Sequence, residues 1–238
     1  MDIKSMKAIQ DFKAAGIAAA NNGDFMGEQY HEPLHSVSID ELINAGIPKR
    51  YRGASFDKFL FTKVPEQVRP AYRVAEEYAH NFEFYREQGT GLILEGPPGG
   101  MKTTLACCIA RSVIERYERG THGRPPVYFI SMPELFDRLL SRGSKEGRTE
   151  QDDFYTRVQE TRLLVLDDFG EEYPAGWILN KVNFIISHRY DEMLPTIITT
   201  NLLPQEMKGR YAGRLIDRLR STYKVVIIGG ESLRPTQE

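Results

Sequence analysis

The chain has 238 residues, above the roughly 150 of an average domain, and sets 31 Lys and Arg against 33 Asp and Glu for a net charge of -2. That balance excludes a polycation coating nucleic acid by bulk charge, though a local basic patch remains open. With 41% hydrophobic residues, no apolar run near the roughly 18 that cross a bilayer, no apolar secretion signal after Met1, and only the adjacent pair Cys107 and Cys108, a globular protein of a reducing, cytoplasmic setting is expected.

Ile3, Met6, Ile9 and Phe12 recur every three residues between lysines and Asp11, predicting a short amphipathic helix that Asn21-Asn22-Gly23-Asp24 ends at the latest. Ser38-Ile39-Asp40-Glu41 has the form of a capping box, opening a short helix closed by Gly46. Residues 1–46 are read as a separate N-terminal segment, either a fraying terminus or a partner-binding element, and 47–238 as a single larger domain. In that domain helices and apolar strands alternate. Helices are expected at Arg69 to Tyr85, Thr103 to Tyr117, Pro133 to Leu140 and Trp177 to Tyr190. Strands are expected at Gly91 to Leu94, Val127 to Ile130, Leu163 to Leu166, Thr196 to Thr200 and Val225 to Ile228. Uninterrupted apolar strands between helices mean a sheet covered on both faces, hence an α/β fold with a mostly parallel sheet.

The most informative segment is Gly96-Pro97-Pro98-Gly99-Gly100-Met101-Lys102-Thr103-Thr104, placed directly after a strand and opening a helix. That context defines a phosphate-binding loop. Glycines let backbone N–H groups approach phosphate oxygens, and the helix N-terminus adds partial positive charge. Lys102 is then expected to contact the β- and γ-phosphates, and the Thr103 hydroxyl to ligate Mg2+. Met101 stands where the usual pattern has glycine. Further on, Leu163-Leu164-Val165-Leu166-Asp167-Asp168 is an apolar strand ending in two carboxylates: Asp167 is expected to bind Mg2+ through water, and Asp168 to orient or deprotonate an attacking water.

Asn201, after Thr199-Thr200, either holds the lytic water or caps a turn before Leu202-Leu203-Pro204. Arg214 and Arg218, four apart, share a helical face, which suits an ordinary surface pair as well as an arginine reaching a neighbouring subunit's phosphate. Spacing alone does not choose. Two basic patches are candidates for nucleic-acid backbone contact or for plain solvated faces: Arg138, Arg142, Lys145 and Arg148; and Lys208, Arg210, Arg214, Arg218, Arg220 and Lys224. Phe154 and Tyr155 suit base stacking or a core position.

Taken together, Ile47-Pro48-Lys49-Arg50-Tyr51-Arg52, the phosphate loop, Asp167-Asp168-Phe169-Gly170, Arg189-Tyr190, Pro195 to Asn201, Ile216-Asp217-Arg218-Leu219 and Gly230-Glu231-Ser232-Leu233-Arg234 resemble the AAA+ ATPases of the DnaC/DnaI helicase-loader group and their IstB-type transposition relatives. The resemblance spans about residues 47 to 235. It implies an AAA+ P-loop core with a five-stranded parallel sheet in the order 5-1-4-3-2 and a small helical lid. It also implies ATP and Mg2+ as cofactors and ATP hydrolysis coupled to assembly. By residue, it matches Asn201 to the sensor that faces the γ-phosphate region, Arg218 to the arginine finger completing a neighbour's site, and Arg234 to the arginine reading the γ-phosphate from its own chain. The partners it implies are a hexameric replicative DNA helicase, single-stranded DNA and further copies of the chain through the ATP site. The alternative it leaves is an IstB-like helper ATPase for a transposase. Met101 departs from the pattern, and no cysteine-rich zinc module is present in the sequence.

Overall fold

The computed structural model describes residues 35–58, 64–117, 125–140, 147–170, 176–211, 213–230 and 232. The expected helix near Ile3 to Phe12, and Arg142, Lys145 and Arg234, lie outside them. The elements in chain order are α1 (Ile39–Asn44), 3-10 turns at Lys49–Tyr51 and Glu66–Val68, α2 (Arg69–His80), α3 (Phe82–Glu87), β1 (Gly91–Glu95), α4 (Lys102–Glu115) and β2 (Val127–Ser131). Then follow α5 (Met132–Leu140), α6 (Gly147–Glu160), β3 (Leu163–Asp167), α7 (Gly176–Asp191), β4 (Thr196–Thr200), α8 (Pro204–Arg210), α9 (Gly213–Thr222) and β5 (Tyr223–Ile227).

The five strands form one parallel sheet in the order β2-β3-β4-β1-β5, the expected 5-1-4-3-2 read from the other edge. Because side chains alternate across a strand, each strand feeds two cores. Leu92, Leu94, Val127, Phe129, Leu163, Val165 and Ile197 face α2, α3 and α4. Ile93, Ile130, Leu164, Leu166 and Ile198 face α5, α6, α7 and α9. Every residue of β1, β3 and β4 is buried, as a sheet sandwiched between helices requires.

The capping box forms as read: the Glu41 N–H donates to Ser38 Oγ at 3.2 Å, and Ser38 N–H donates to Glu41 Oε2 at 2.8 Å. Helix α1 is packed into the body of the protein. Leu42 and Ala45 are buried in the same cluster as Ile47 and Phe129, and the Phe129 N–H donates to the Ala45 carbonyl at 2.7 Å.

Several elements differ from the sequence pattern, and three of them have a plain local reason. The helix expected from Arg69 to Tyr85 is two helices, broken at Asn81 (φ -102°, ψ 27°), whose side-chain amide bonds the Glu77 carbonyl at 3.2 Å. Asparagine competes in this way for helix hydrogen bonds. Helix α6 was not foreseen, because its apolar stripe is only Phe154, Tyr155 and Val158 amid polar residues. The last strand begins at Tyr223 rather than Val225, since pairing with β1 starts where Tyr223 meets side-chain-free Gly91.

One buried cation ties the layers. Arg189 on α7 is wholly inaccessible to solvent and donates to the carbonyls of Val158, Gln159, Thr161 and Pro195 and to Thr196 Oγ1 at 2.7–3.2 Å. It thereby satisfies the C-terminal carbonyls of α6 and the entry to β4 together. Burial lowers its pKa to about 10, so it stays charged at neutral pH.

Candidate nucleotide site

The C-terminal ends of β1, β3 and β4 lie side by side, and the expected site residues follow directly from them. The phosphate loop leaves β1, Asp167 ends β3, and Asn201 follows β4. A cavity of about 670 Å3 opens there, lined by Pro98 to Thr104 together with Asp168 and Asn201. A volume of that order suits a small-molecule ligand. Gly96 is required by close approach: a Cβ there would lie 2.5 Å from the Ile228 carbonyl oxygen on the next strand's exit.

Helix α4 begins inside the cavity wall. Its N-cap is Met101, which offers no side-chain acceptor, and its first turn carries no acidic residue. Amide donors at a helix start that no side chain caps, with the helix dipole behind them, form an anion site. Met101 also explains its own oddity. Its φ of 67° and ψ of 11° are left-handed, the conformation glycine adopts at little cost and other residues rarely. The loop takes its bend with methionine in place of the usual glycine, and the methionine side chain packs against the core.

Lys102 is buried to 5% exposure. Its Nζ donates to the carbonyls of Gly96 and Pro97, both at 2.8 Å, and to Asn201 Oδ1 at 2.6 Å. The loop lysine and the residue after β4 are thus in direct contact across the cavity. The Thr103 hydroxyl donates to Asp167 Oδ1 at 2.9 Å, so the two expected Mg2+ ligands also meet. Burial pushes the Asp167 carboxyl up to about 6, opposed by hydrogen bonds from Thr199 and Thr103 and reinforced by neighbouring Asp168. Asp168 has a left-handed backbone (φ 57°), with its N–H donated to Thr199 Oγ1 at 2.9 Å.

A buried carboxylate beside a threonine hydroxyl is an all-oxygen donor set, and its raised pKa marks charge awaiting compensation. Both features fit Mg2+, which binds through one or two protein oxygens plus phosphate and water. Among the described residues no group of three or more His, Cys, Asp and Glu is placed to hold a metal ion.

Arg218 does not line this cavity. It projects from α9 onto α7, donating to Ser187 Oγ at 2.8 Å and lying 5.5 Å from the Tyr190 ring. Phe154 is core, edge-on to Tyr128, with Arg138 over it. Of the second basic patch, Lys224 is bonded to Tyr85 Oη at 2.7 Å and Arg210 to the Gly170 carbonyl. The sequence reading missed the opposite wall, formed by Arg50, Tyr51, Gly53, Ala54 and Pro65. Its one signal was a basic and aromatic cluster, Lys49-Arg50-Tyr51-Arg52, set between Pro48 and Gly53.

The chain is 28% identical over 160 residues to the replicative helicase loader DnaI of Bacillus subtilis, covering 62% of this chain and 48% of that protein. It is 23% identical over 176 residues to the replicative helicase loader DnaC of Escherichia coli, covering 74% and 66%. It thus spans about half the length of the first and two thirds of the second. A crystal structure of the DnaC helicase loader superposes with a TM-score of 0.63 at 27% identity, covering 76% of this chain and all of that one. Among the described residues no helix is long and apolar enough to cross a membrane. The family model described as IstB-like ATP binding protein matches residues 70–238, and since that is more than half of the sequence, the chain belongs to this family of P-loop ATPases.

Proposed function

We propose that the protein is an ATP-dependent loader that binds a hexameric replicative DNA helicase and places it on single-stranded DNA. The observation that supports this most is the likeness to DnaI and DnaC across the domain that holds the nucleotide cavity. ATP occupies the cavity with its phosphates on Gly96, Pro97, Pro98, Gly99, Gly100, Met101, Lys102, Thr103 and Thr104. Lys102 exchanges its three present oxygen partners for β- and γ-phosphate oxygens. Thr103 and Asp167 hold Mg2+, which when bound neutralises charge on the phosphates. Asp168 accepts the proton of the water that attacks the γ-phosphorus, and Asn201, once Lys102 has moved to phosphate, orients that water. Arg218 of a neighbouring copy and Arg234 of the same chain contact the γ-phosphate.

Hydrolysis then acts through assembly. A nucleotide biases an equilibrium only by binding one state more tightly, and an arginine from a second copy gives the triphosphate that preference. The exposed arginines of α9 supply phosphate-backbone contacts, which carry no sequence code and weaken with salt.

The full-length protein, mixed with the host's replicative helicase in ATP and in ADP, should co-elute with it in ATP and release it in ADP. Lys102→Ala should abolish both ATP binding and this difference. Absence of a complex in either nucleotide rejects the loader reading. The family match favours a second reading, a helper ATPase for a transposase; ATP-dependent co-elution with a transposase and not with the helicase would establish it.

A further inference from the structure

Thr199, on β4, is inaccessible to solvent and makes three contacts with the segment that carries both candidate carboxylates. Its hydroxyl donates to Asp167 Oδ1 at 2.6 Å and accepts the Asp168 N–H at 2.9 Å. Its carbonyl accepts the Phe169 N–H at 2.8 Å. The direction of the hydroxyl proton is fixed, because an amide N–H can only donate to it and an ionised carboxylate can only accept from it.

We propose that Thr199 is a positioning residue for ATP hydrolysis, one hydroxyl setting the aim of both Asp167 and Asp168. This rests on the nucleotide-site reading above and assigns a role to a residue that does not itself line the cavity. Two consequences follow from the contacts. Thr103 and Thr199 both donate to Oδ1 of Asp167, so Oδ2 is the oxygen the two threonines leave for a cation or its water. Asp168, in turn, holds a left-handed backbone that is unfavourable for a residue with a side chain. Such a conformation persists only where neighbours over-determine it, and Thr199 captures its amide and the next one. The carboxylate of Asp168 therefore projects from a backbone that Thr199 pins.

Thr200 is the internal comparison. It is equally buried, and its hydroxyl donates to the Phe169 carbonyl at 2.6 Å and accepts the Leu202 N–H at 3.0 Å. Losing either hydroxyl weakens the strand ends; only Thr199's touches a carboxylate in these contacts.

The test is calorimetric titration of the full-length protein with ADP, in EDTA and over a range of Mg2+, for Thr199→Val, Thr199→Ala, Thr199→Ser and Thr200→Val. Removing an outer partner of a metal ligand typically lowers metal affinity or activity by roughly 10–100-fold. The Mg2+ needed to tighten ADP should rise by that factor in Thr199→Val and Thr199→Ala, with ADP affinity in EDTA unchanged. Thr199→Ser should follow the wild type, and Thr200→Val should lose stability with no change in Mg2+ requirement. In ATPase assays kcat should fall in Thr199→Val while KM measured at saturating Mg2+ holds. An unchanged Mg2+ requirement in Thr199→Val, or an equal rise in Thr200→Val, overturns the proposal. So does failure of both the valine and alanine proteins to fold while the serine protein folds, which assigns the hydroxyl to folding alone. A wild-type protein that binds no ADP, or binds it without regard to Mg2+, refutes instead the nucleotide-site reading beneath.

Discussion

Replacing Met101 by glycine and, separately, by alanine tests whether backbone conformation is what the loop demands at this position. Met101 has φ 67° and ψ 11°, and a residue with a Cβ is disfavoured there by about 1–2 kcal/mol. Glycine escapes that strain but loses about 0.5–1 kcal/mol more conformational entropy on folding than alanine. The difference favours glycine by about 1 kcal/mol. Both variants forfeit the packing of the methionine side chain against the core, so comparing them with each other removes that contribution. At a helix-interior position alanine leads glycine by about 1 kcal/mol; here the order should invert. In urea unfolding of nucleotide-free protein, with a slope of about 2–3 kcal/mol per molar, the Met101→Gly midpoint should exceed that of Met101→Ala by about 0.3–0.5 M. Equal midpoints, or alanine ahead, would show that the loop relaxes into a right-handed turn and that the left-handed geometry is not intrinsic to it.

Three further expectations come from the same geometry. Arg218→Ala should leave ATP binding intact, since Arg218 is outside the cavity, but lower both hydrolysis and ATP-dependent oligomer formation, by roughly 10^3-fold or more in rate where the arginine acts from a neighbour; an undiminished ATPase rate refutes that role. Asp167 has a folded-state pKa of about 6 against an ordinary 3.8, so the folded protein holds this proton more tightly than the unfolded chain. Its contribution to stability is therefore fully present below about pH 4, is lost as pH rises to about 6, and stays lost above. Asp167→Asn should stabilise the protein in EDTA at pH 8 by about 1–3 kcal/mol, seen as a higher Tm, with the gain vanishing near pH 4; an asparagine protein no more stable at pH 8 contradicts the assignment. Arg189→Met should cost on the order of 4 kcal/mol or more, because several buried carbonyls lose their donor at about 1–3 kcal/mol each. Arg189→Lys, with a single nitrogen in place of the fork, should recover only part of this in the same denaturation assay; a loss under about 1 kcal/mol for either variant would mean that water replaces the guanidinium.

How much of this was readable beforehand depended on whether the signal was local. The phosphate loop, the acidic end of β3 and the position of Asn201 are contiguous motifs, and their meeting at one end of the sheet follows once the strands are parallel and β1 and β4 are neighbours. Arg50, Tyr51 and Pro65 reach the cavity only through the path of the chain before α2, which carries no periodicity to read. Thr199 looked like any β-branched strand residue, because its importance lies in what stands across from it on β3. Helix α6 escaped because three apolar residues among eleven polar or small ones give no face, and the break at Asn81 because the apolar spacing of α2 and α3 continues straight through it. The role of Met101 was the instructive inversion: the letter departs from the motif while the backbone keeps the motif's shape.

The contacts of Lys102 bear on how tightly a triphosphate will be held. Its ammonium is bonded to three oxygens of the same chain, so this lysine is not an unmet cation waiting for an anion. For Lys102, taking a phosphate is then an exchange of one oxygen set for another, and its own net gain is only the margin between them. The pull on an anion then falls to the uncapped amides at the start of α4 and to Arg50 in the cavity wall.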